Sequence, residues 1–324
     1  MGKITKTPVA GLNHEEWLAL RHQSIGGSEI GAILGLNPWQ SAYSLWCERT
    51  GRTPAFEGNL QTRVGTALED TVARLFAETS GLEVQRTNFL YTNTDFPHLH
   101  ALPDRLVRGR RTGLEIKTTS AFNGDQFRGQ EFPAQYYAQS VQYMGILEYD
   151  EWFIAVLIGN HDLRFYQLVR SEEIQAHDWC SGRLLVEDGE FEALKAAGAA
   201  FWECLEKDIP PAVDGSDATT EALNEAYPES GDGMEPMTFF GRESLVSEWF
   251  SIKEQMDSLE TRKQEIRNIL CADMGLYETG VCGEHRITWK TQTRNTFDSK
   301  RAVKEHPELA SYYRQSSTRV FTIK

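Results

Sequence analysis

Two acidic residues and a lysine, Asp104, Glu115 and Lys117, have the types and spacing of a site for metal-assisted phosphodiester hydrolysis. Ten residues separate Asp104 from the triplet Glu115-Ile116-Lys117. Magnesium prefers hard oxygen ligands and keeps several of its waters, so the two carboxylates and the backbone carbonyl of Ile116 are the predicted metal ligands. Lys117 would orient or activate a water and offset negative charge in the transition state.

The alternation of side chains along a strand predicts that these residues share one location. Residues 98–107 and 113–118 have the pattern of two strands joined by a turn. Because alternate side chains of a strand lie on one face, Glu115 and Lys117 should point the same way. Pairing of the two strands would then place Asp104 beside them. The alternative for the same residues is a solvated hairpin with a surface salt bridge.

Two predicted helices carry further polar side chains toward this hairpin. Residues 62–80 repeat apolar side chains at three- and four-residue steps, which predicts an amphipathic helix with Glu69 next to its apolar stripe. Glu69 would serve the metal directly or through water. The helix predicted over 134–147 carries Gln139 and Gln142, which share nearly one face because they are three residues apart. Either glutamine would serve the site.

A basic cluster and a glycine-rich segment are the predicted contacts for a phosphate backbone. Four arginines lie in or just before the turn between the two strands: Arg105, Arg108, Arg110 and Arg111. We expect Arg105 and Arg108 to contact DNA, and a solvated basic turn is the alternative. Gly26-Gly27-Ser28 predicts a helix start with Ser28 as its N-cap. The backbone N–H groups of such a helix start can also hold a terminal phosphate.

Composition and charge limit the kind of protein that this chain can form. The chain has 324 residues, 40% hydrophobic and 25% charged, which is typical of a globular protein of one or two domains. No run approaches the roughly 18 apolar residues of a membrane span, and residues 1–11 lack the apolar core of a signal peptide. We therefore expect no membrane partner and a cytoplasmic location. The net charge of −14 predicts that any DNA-binding surface is a confined basic groove.

The chain divides into three predicted segments. Residues 1–208 have the mixed strand and helix pattern of an α/β (α+β) domain that would contain the hydrolytic site. Strands are predicted over 83–92, 151–158 and 163–169, the last two as a hairpin, and residues 171–206 are predicted to be mainly helical. An acidic stretch rich in Gly and Ser predicts a linker or long loop over 209–240. Residues 241–324 begin with a long helix over 243–274, followed by a small α/β segment with strands predicted over 281–290 and 318–323 around a short helix near 299–306. The apolar stripe of that helix would contact another subunit or partner, or pack within the chain.

The order of these motifs resembles the YqaJ-type viral recombinase family of the PD-(D/E)XK nuclease superfamily, over about residues 14–205. The resemblance rests on five motifs in sequence: Arg21-His22-Gln23-Ser24-Ile25-Gly26-Gly27-Ser28-Glu29-Ile30, Glu69 on its helix, Pro103-Asp104, Glu115-Ile116-Lys117, and Tyr136-Tyr137-Ala138-Gln139-Ser140-Val141-Gln142-Tyr143-Met144. In the family, an Arg and a Ser seven residues apart bind the 5′-phosphate end, and these are Arg21 and Ser28 here. The family often has Gly after the metal-binding Asp, where this chain has Arg105.

The resemblance implies a restriction-endonuclease-like core, in which a central mixed sheet is flanked by helices, with a C-terminal helical extension. It implies a Mg2+-dependent exonuclease, with Mn2+ able to substitute, that digests double-stranded DNA ends from 5′ to 3′. The 3′ overhangs would serve a single-strand annealing protein in phage-type recombination, in a bacterial or phage-infected cell. It also implies a homo-oligomeric ring, a trimer or tetramer, through which DNA threads.

Two other functions are compatible with the same motifs. One is another PD-(D/E)XK DNA nuclease, either an endonuclease or a CRISPR-associated enzyme. The five cysteines are widely spaced and lack a four-cysteine iron–sulfur pattern, which argues against the CRISPR-associated type. The other is a non-catalytic DNA-end-binding scaffold, which would not require Asp104, Glu115 and Lys117 together.

Overall fold

The computed structural model describes residues 2–231, 235–314 and 319–323, and it contains two compact units, Met1–Pro228 and Glu229–Lys324. The helices of the first unit are α1 (His14–Arg21), α2 (Gly27–Ile33), α3 (Ala42–Arg49), α4 (Leu60–Ser80), α5 (Ala134–Leu147), α6 (Glu190–Glu206) and α7 (Asp217–Ala226). Its strands are β1 (Ile4–Pro8), β2 (Val84–Arg86), β3 (Phe89–Asn93), β4 (His100–Ala101), β5 (Arg105–Val107), β6 (Thr112–Thr119), β7 (Glu151–Ile158), β8 (Asp162–Val169) and β9 (Gly182–Leu185). None of the described helices is long and apolar enough to cross a membrane.

The first unit is built on a mixed sheet with the strand order β2-β5-β6-β7-β8-β9. The pairs β6–β7 and β8–β9 are parallel, and the other neighbours are antiparallel. A smaller antiparallel sheet has the order β1-β3-β4. Helix α4 packs on one face of the mixed sheet, and α5 packs on the other. The predicted fold class, a central mixed sheet flanked by helices, is confirmed.

Aromatic side chains form the core on both faces of this sheet. On the α4 face, the ring of Phe76 lies 5.5 Å from those of Phe153 and Phe165. On the α5 face, the ring of Tyr143 lies 5.7 Å from that of Trp152. Each fully buried side chain of this size stabilises the fold by about 1.5–3 kcal/mol. These contacts hold α4 and α5, which carry three of the predicted site residues, against opposite faces of β6 and β7.

Most helices of the first unit begin and end close to the predicted residues. The predicted helix over 134–147 is confirmed at both bounds within one residue, and 62–80 begins two residues earlier at Leu60. Asn59 caps the start of α4, and Gly81 ends it in the left-handed conformation with φ 71°. The predicted hairpin of residues 151–169 is confirmed as β7 and β8.

The strands before the site are shorter and more divided than the sequence predicts. The predicted strand 83–92 is two strands, β2 and β3, which belong to different sheets. The predicted strand 98–107 is also two, β4 and β5, because Pro103 between them cannot donate a ladder hydrogen bond. Residues 171–206, predicted to be mainly helical, contain β9 before α6 begins at Glu190.

The stretch for which the sequence predicts a linker, 209–240, contains a packed helix, so the first unit continues to Pro228. Helix α7 buries Ala218, Thr219 and Ala222, and the Oγ1 of Thr219 lies 2.7 Å from the Oγ of Ser41 before α3. The sequence did not predict this helix because its buried residues are small and give only a weak apolar pattern among acidic residues. Residues 232–234 of the predicted linker lie outside the described residues.

The second unit begins with the long helix that the sequence predicts. Its elements are α8 (Glu243–Met274), β10 (Thr279–Cys282), β11 (His285–Thr288) and α9 (Ser299–Glu305). The bounds predicted for α8 are confirmed at both ends, and its apolar stripe is largely exposed. The strand predicted over 281–290 is the hairpin of β10 and β11. The strand predicted over 318–323 is not formed by residues 319–323, and residue 318 lies outside the described residues.

Candidate active site

The Asp104 side chain forms a hydrogen bond with the edge of β6 just beyond the point where β5 stops pairing with it. Strand β5 pairs with β6 only as far as the partners Arg105 and Leu114. Beyond that point, an Oδ2 oxygen of Asp104 accepts a hydrogen bond of 2.7 Å from the backbone N–H of Ile116. The N–H and C=O of one strand residue lie along the same edge, so the Ile116 carbonyl also faces the edge on which Asp104 lies. The predicted proximity of Asp104 to the triplet is therefore present.

Glu115 has one carboxylate oxygen with partners and one without. Its side chain is buried, and Oε1 accepts hydrogen bonds from Nζ of Lys117 at 2.8 Å and Nε2 of Gln139 at 2.6 Å. The other oxygen, Oε2, is buried and has no hydrogen-bond partner among the described residues. A buried carboxylate oxygen without a partner is energetically costly. A bound cation would remove that cost.

The charges at this site are crowded. Burial raises the pKa of Glu115 to about 8, and the nearby Asp104 carboxylate adds to the shift. Burial also raises the pKa of Asp104, although the Lys117 ammonium opposes that shift. For Lys117 itself, burial disfavours the charged form, but the carboxylates of Glu115 and Asp104 hold its pKa above the usual value. One ammonium thus compensates two buried carboxyl groups, and the site has the charge balance that a divalent cation would complete.

Two side chains of helix α5 contact the Lys117 ammonium and hold it in place. The Oε1 of Gln139 accepts a hydrogen bond from Nζ at 2.9 Å, and the ring centroid of Tyr136 lies 4.9 Å from the same nitrogen. Gln139 also donates to the hydroxyl of Tyr143 at 3.1 Å. Tyr136 and Tyr143 were not among the predicted site residues. They lie three residues before and four residues after Gln139, so helical spacing alone could have indicated them.

Gln142 faces away from the site. The sequence predicted that either Gln142 or Gln139 would serve the site. The Nε2 of Gln142 donates to the backbone carbonyls of Ile25 and His100 at 3.0 Å each, and the side chain is fully buried. It therefore joins the segment before α2 to strand β4. Of the two glutamines, the structure brings only Gln139 to Glu115 and Lys117.

Glu69 lies at the rim of the site, on the Asp104 side. Its Oε2 is 3.4 Å from Nη2 of Arg86 and 3.8 Å from Nη1 of Arg105. Burial and the nearby Asp104 raise its pKa. Among the described residues, no three His, Cys, Asp or Glu side chains form a preassembled metal-binding group. Both roles predicted for Glu69, as a direct ligand or through water, stay predictions.

Arg105, predicted to contact DNA, is buried in ion pairs instead. Its Nη2 donates to Asp70 at 2.5 Å, its Nη1 donates to the carbonyl of Asp104 at 2.6 Å, and its side chain is only 4% exposed. The β5 position turns the side chain toward α4, where two carboxylates hold it. Arg108, the second predicted DNA contact, is exposed and lies 3.6 Å from Glu83.

Arg21 and Ser28 lie together, as the motif requires. The Nη2 of Arg21 is 3.4 Å from Oγ of Ser28, and the guanidinium lies over the ring of Trp17 at 4.6 Å. The predicted N-cap is wrong, because Gly26 precedes the helix and Ser28 is an exposed residue of its first turn. The Glu29 carboxylate accepts the Gly26 N–H at 2.7 Å, which fixes the start of α2 without Ser28.

A close approach of α2 to α5 places this pair next to the catalytic candidates. At Gly27, an added Cβ would lie 2.5 Å from the ring of Tyr143 and 2.8 Å from Cγ of Gln139. Only glycine allows this approach, because real Cβ atoms do not tolerate such distances. Ser28 follows directly, so the predicted phosphate contacts border the residue that binds Glu115 and Lys117.

A buried ion pair holds the segment that carries Arg21 and Ser28. Nη1 of Arg49 lies 2.8 Å from Oε1 of Glu29, and its Nη2 donates to the carbonyl of His22 at 2.7 Å. Nη1 also donates to the carbonyl of Ser24 at 3.3 Å. The sequence did not indicate Arg49, because it lies on α3, 20 residues after Glu29. It is a positioning residue for this segment.

Comparisons with known proteins give one family match and several similar solved structures. The YqaJ-like viral recombinase domain matches residues 16–150. Among solved structures, the alkaline exonuclease LHK-Exo of Laribacter hongkongensis is 17% identical, with a TM-score of 0.44 over 60% of this chain and 94% of that chain. A phage-related exonuclease of Haemophilus somnus is 14% identical, with a TM-score of 0.41 over 59% of this chain and 98% of that chain.

The similarity to one bacterial protein extends over nearly the whole chain. YqaJ of Bacillus subtilis (strain 168), itself described as uncharacterized, is 30% identical over 302 residues, which cover 92% of this chain and 90% of that protein. A match over 92% of this chain extends well beyond the range that the family model covers. The chain belongs to the YqaJ-like viral recombinase family.

Proposed function

We propose that the protein is a magnesium-dependent deoxyribonuclease that digests double-stranded DNA from 5′ ends. The observation that carries this proposal is the buried Oε2 of Glu115, which has no partner in the described part of the chain, while Oε1 of the same carboxylate pairs with the ammonium of Lys117. Two carboxylates and a lysine in this geometry suit phosphodiester hydrolysis, and membership of a viral recombinase family supports DNA as the substrate.

The residues fit a hard divalent cation. Asp104, Glu115 and the carbonyl of Ile116 would hold Mg2+, or Mn2+ in its place, with Glu69 acting through water. When bound, the ion would polarise the phosphate and lower the pKa of a water. Two carboxylates and one carbonyl leave the remaining ligand positions to water and substrate, which is the usual arrangement for magnesium at phosphates.

Lys117 would act on the attacking water or the phosphate. An ammonium has three N–H donors, of which Glu115 and Gln139 accept two. The third remains for a water or a phosphate oxygen. Because Gln139 and Tyr136 fix the nitrogen in advance, its charge meets the developing negative charge of the transition state without reorganisation.

Arg21 and Ser28 would hold the 5′-phosphate and so set the direction of digestion. A guanidinium and a hydroxyl 3.4 Å apart offer several donors to the oxygens of one terminal phosphate. Because Gly27 lies against Gln139, a phosphate held by Arg21 and Ser28 would lie close to the proposed hydrolytic residues. Digestion from 5′ to 3′ would leave 3′ overhangs for a single-strand annealing protein, and a homo-oligomeric ring would retain the duplex. The annealing partner and the ring are part of the same proposal, and both are taken from what the family resemblance implies.

Strand-specific labels on a linear duplex test this function. We expect stepwise loss of the 5′-phosphorylated strand with Mg2+ and no loss with EDTA. Arg21→Ala should reduce the preference for 5′-phosphorylated over 5′-hydroxyl ends by about tenfold or more, because a charge-assisted hydrogen bond contributes about 1.5–3 kcal/mol. Digestion from 3′ ends, or cleavage of closed circular DNA, would contradict the proposed polarity and end dependence.

A further inference from the structure

A basic groove separates the edge of the mixed sheet from the smaller sheet. It has a volume of about 580 Å3, and its walls come from β1, β2, β3 and the turn between β5 and β6. Of the described residues that line it, four are basic, Lys6, Arg86, Arg110 and Arg111, and none is acidic. In a chain with a net charge of −14, such a local excess of positive charge is a specific feature of this groove.

Two of these cations are available to a ligand. The side chains of Lys6 and Arg110 are exposed, and neither forms an ion pair or side-chain hydrogen bond with a described residue. The Lys6 ammonium lies only over the ring of Tyr91, at 5.6 Å. Arg111 is fixed by the carbonyl of Glu148 and lies 6.0 Å from the ring of Tyr149. The groove thus combines anchored and free positive charges.

An aromatic ring lines the same groove. Phe89 is 38% exposed, and its ring meets that of Tyr91 edge to face at 6.4 Å. Basic grooves that also carry aromatic rings are typical of sites for single-stranded nucleic acid, because the charges follow the phosphates and the rings stack on bases. A duplex turns its bases inward, so the Phe89 ring suits an unpaired strand.

Arg86 connects this groove to the candidate active site. Its Nη2 lies 3.4 Å from Glu69 and 3.4 Å from Asp70, while its side chain also lines the groove. The Asp104 carboxylate contributes to the raised pKa of Glu69, so these two groups are near each other. Arg86 is also the β2 partner of Arg105, the residue that follows Asp104, whereas Arg110 lies in the turn after β5. The Arg86 side of the groove is therefore the side nearer the candidate active site.

We propose that this groove binds a single strand of DNA that continues from the candidate active site. The phosphates lie against Lys6, Arg86 and Arg110, and one base stacks on Phe89. The origin of the strand, as the product of end digestion, rests on the proposed function. The binding site itself does not, because it requires no hydrolysis.

Binding of a fluorescent oligothymidylate, measured by anisotropy in EDTA, tests the groove. The double variant Lys6→Glu/Arg110→Glu should weaken binding at least about tenfold at low salt and reduce the slope of log K against log salt by about 1.4, two phosphate contacts at about 0.7 each. Its matched control is Arg74→Glu/Lys207→Glu, which makes the same change of charge at exposed positions away from the groove. The control should change the affinity less than about twofold, with an unchanged slope.

A second variant tests stacking without changing charge. Phe89→Leu keeps an apolar side chain and should weaken binding about fivefold or more, since base stacking on an aromatic ring contributes strongly. Equal affinities for the groove variant and its control, or no effect of Phe89→Leu, would overturn the proposal. If the wild type binds the oligonucleotide through the groove but digests no duplex with Mg2+, the proposed function fails while the groove stands. If it digests duplex and the groove variants bind normally, only the groove fails.

Discussion

The Nζ of Lys117 lies 2.8 Å from Oε1 of Glu115, two residues away on the same face of β6, while Oε2 of that carboxylate has no partner among the described residues. The lysine thus neutralises one edge of the carboxylate and leaves the other edge for a cation. A surface salt bridge on a solvated hairpin, the alternative that the sequence allowed, would be exposed. This pair is largely enclosed, and Gln139 on α5 completes it.

Lys117→Ala should abolish hydrolysis while sparing DNA binding. The substitution removes the only ammonium near Asp104 and Glu115 within the described residues, and the transition state loses a preorganised positive charge. We expect the rate of duplex digestion to fall about 100-fold or more, as for other preorganised electrostatic groups. Two measurements on the variant and the wild type check this: the digestion rate with Mg2+, and the affinity for DNA in EDTA. Lys195→Ala, at a lysine that pairs with Glu192, is a matched control and should leave both unchanged. Retained activity in Lys117→Ala would show that the site is assigned wrongly.

Gln139→Ala and Gln142→Ala should have opposite effects. Gln139 binds Glu115 and Lys117, so its loss should lower the digestion rate of the folded protein about 10- to 100-fold. Gln142 donates to two buried carbonyls, so its loss should cost about 1–3 kcal/mol of unfolding free energy, while the folded fraction stays active. Denaturant unfolding and digestion rates, measured on both variants, separate the two roles. Loss of activity without loss of stability in Gln142→Ala would reverse our assignment.

Arg49→Ala should destabilise the segment that carries Arg21 and Ser28. The variant leaves Glu29 buried without its cation and frees the carbonyls of His22 and Ser24. We expect a loss of about 3 kcal/mol in unfolding free energy, and a reduced preference for 5′-phosphorylated ends. Arg74→Ala, which breaks an exposed pair with Glu78, should cost at most about 0.5 kcal/mol. Similar losses in the two variants would mean that the Glu29 pair contributes no more than a surface pair.

His100 should make a contribution to stability that is lost on acidification. Burial lowers the pKa of this histidine from 6.5 to about 4, and its Nδ1 shares a hydrogen bond of 2.9 Å with Oγ of Ser24. Between pH 6.5 and about 4 the unfolded chain binds a proton at this residue that the folded protein does not, so the contribution of His100 falls as the pH falls through this window. The raised pKa of Glu115 has the opposite effect over part of the same window, so the contribution of His100 is measured as a difference between variants. The expected contribution is about 3 kcal/mol.

Denaturant unfolding at pH 7 and at pH 4.5 measures this effect. His100→Gln removes the titrating group, so the change in unfolding free energy from pH 7 to pH 4.5 should be more favourable to the folded state than in the wild type by most of that amount. His14→Gln, at an exposed histidine, should leave it unchanged. An unchanged pH dependence in His100→Gln would place the titrating group elsewhere.

Local patterns were sufficient to predict the strand that carries the site. Alternation along β6 predicted that Glu115 and Lys117 share a face, and the pairing with β5 predicted the approach of Asp104. The apolar stripes of α4, α5 and α8 likewise predicted helices with nearly correct ends. These features depend on the period of side chains along a single element, which the sequence contains directly.

Contacts between distant segments could not be predicted in the same way. Gln139 and Gln142 are equivalent on a helix until its packing on β6 selects one of them. Arg105 looks like a basic turn residue, but Asp70 from α4 encloses it. The role of Gln139 and the burial of Arg105 depend on which elements pack together, and the pattern of a single sequence does not contain that information.

The most direct test of the central claim is the digestion of a linear, 5′-phosphorylated duplex by the wild type and by Asp104→Asn, with Mg2+ and with EDTA. Asp104 supplies a second carboxylate near Glu115, and Asn keeps its shape and its contact with Ile116 while removing the charge. We predict digestion only by the wild type and only with Mg2+ or Mn2+, with Asp104→Asn still folded and binding DNA. Digestion in EDTA, or full activity of Asp104→Asn, would contradict the assignment of Asp104, Glu115 and Lys117 as a metal-dependent nuclease site.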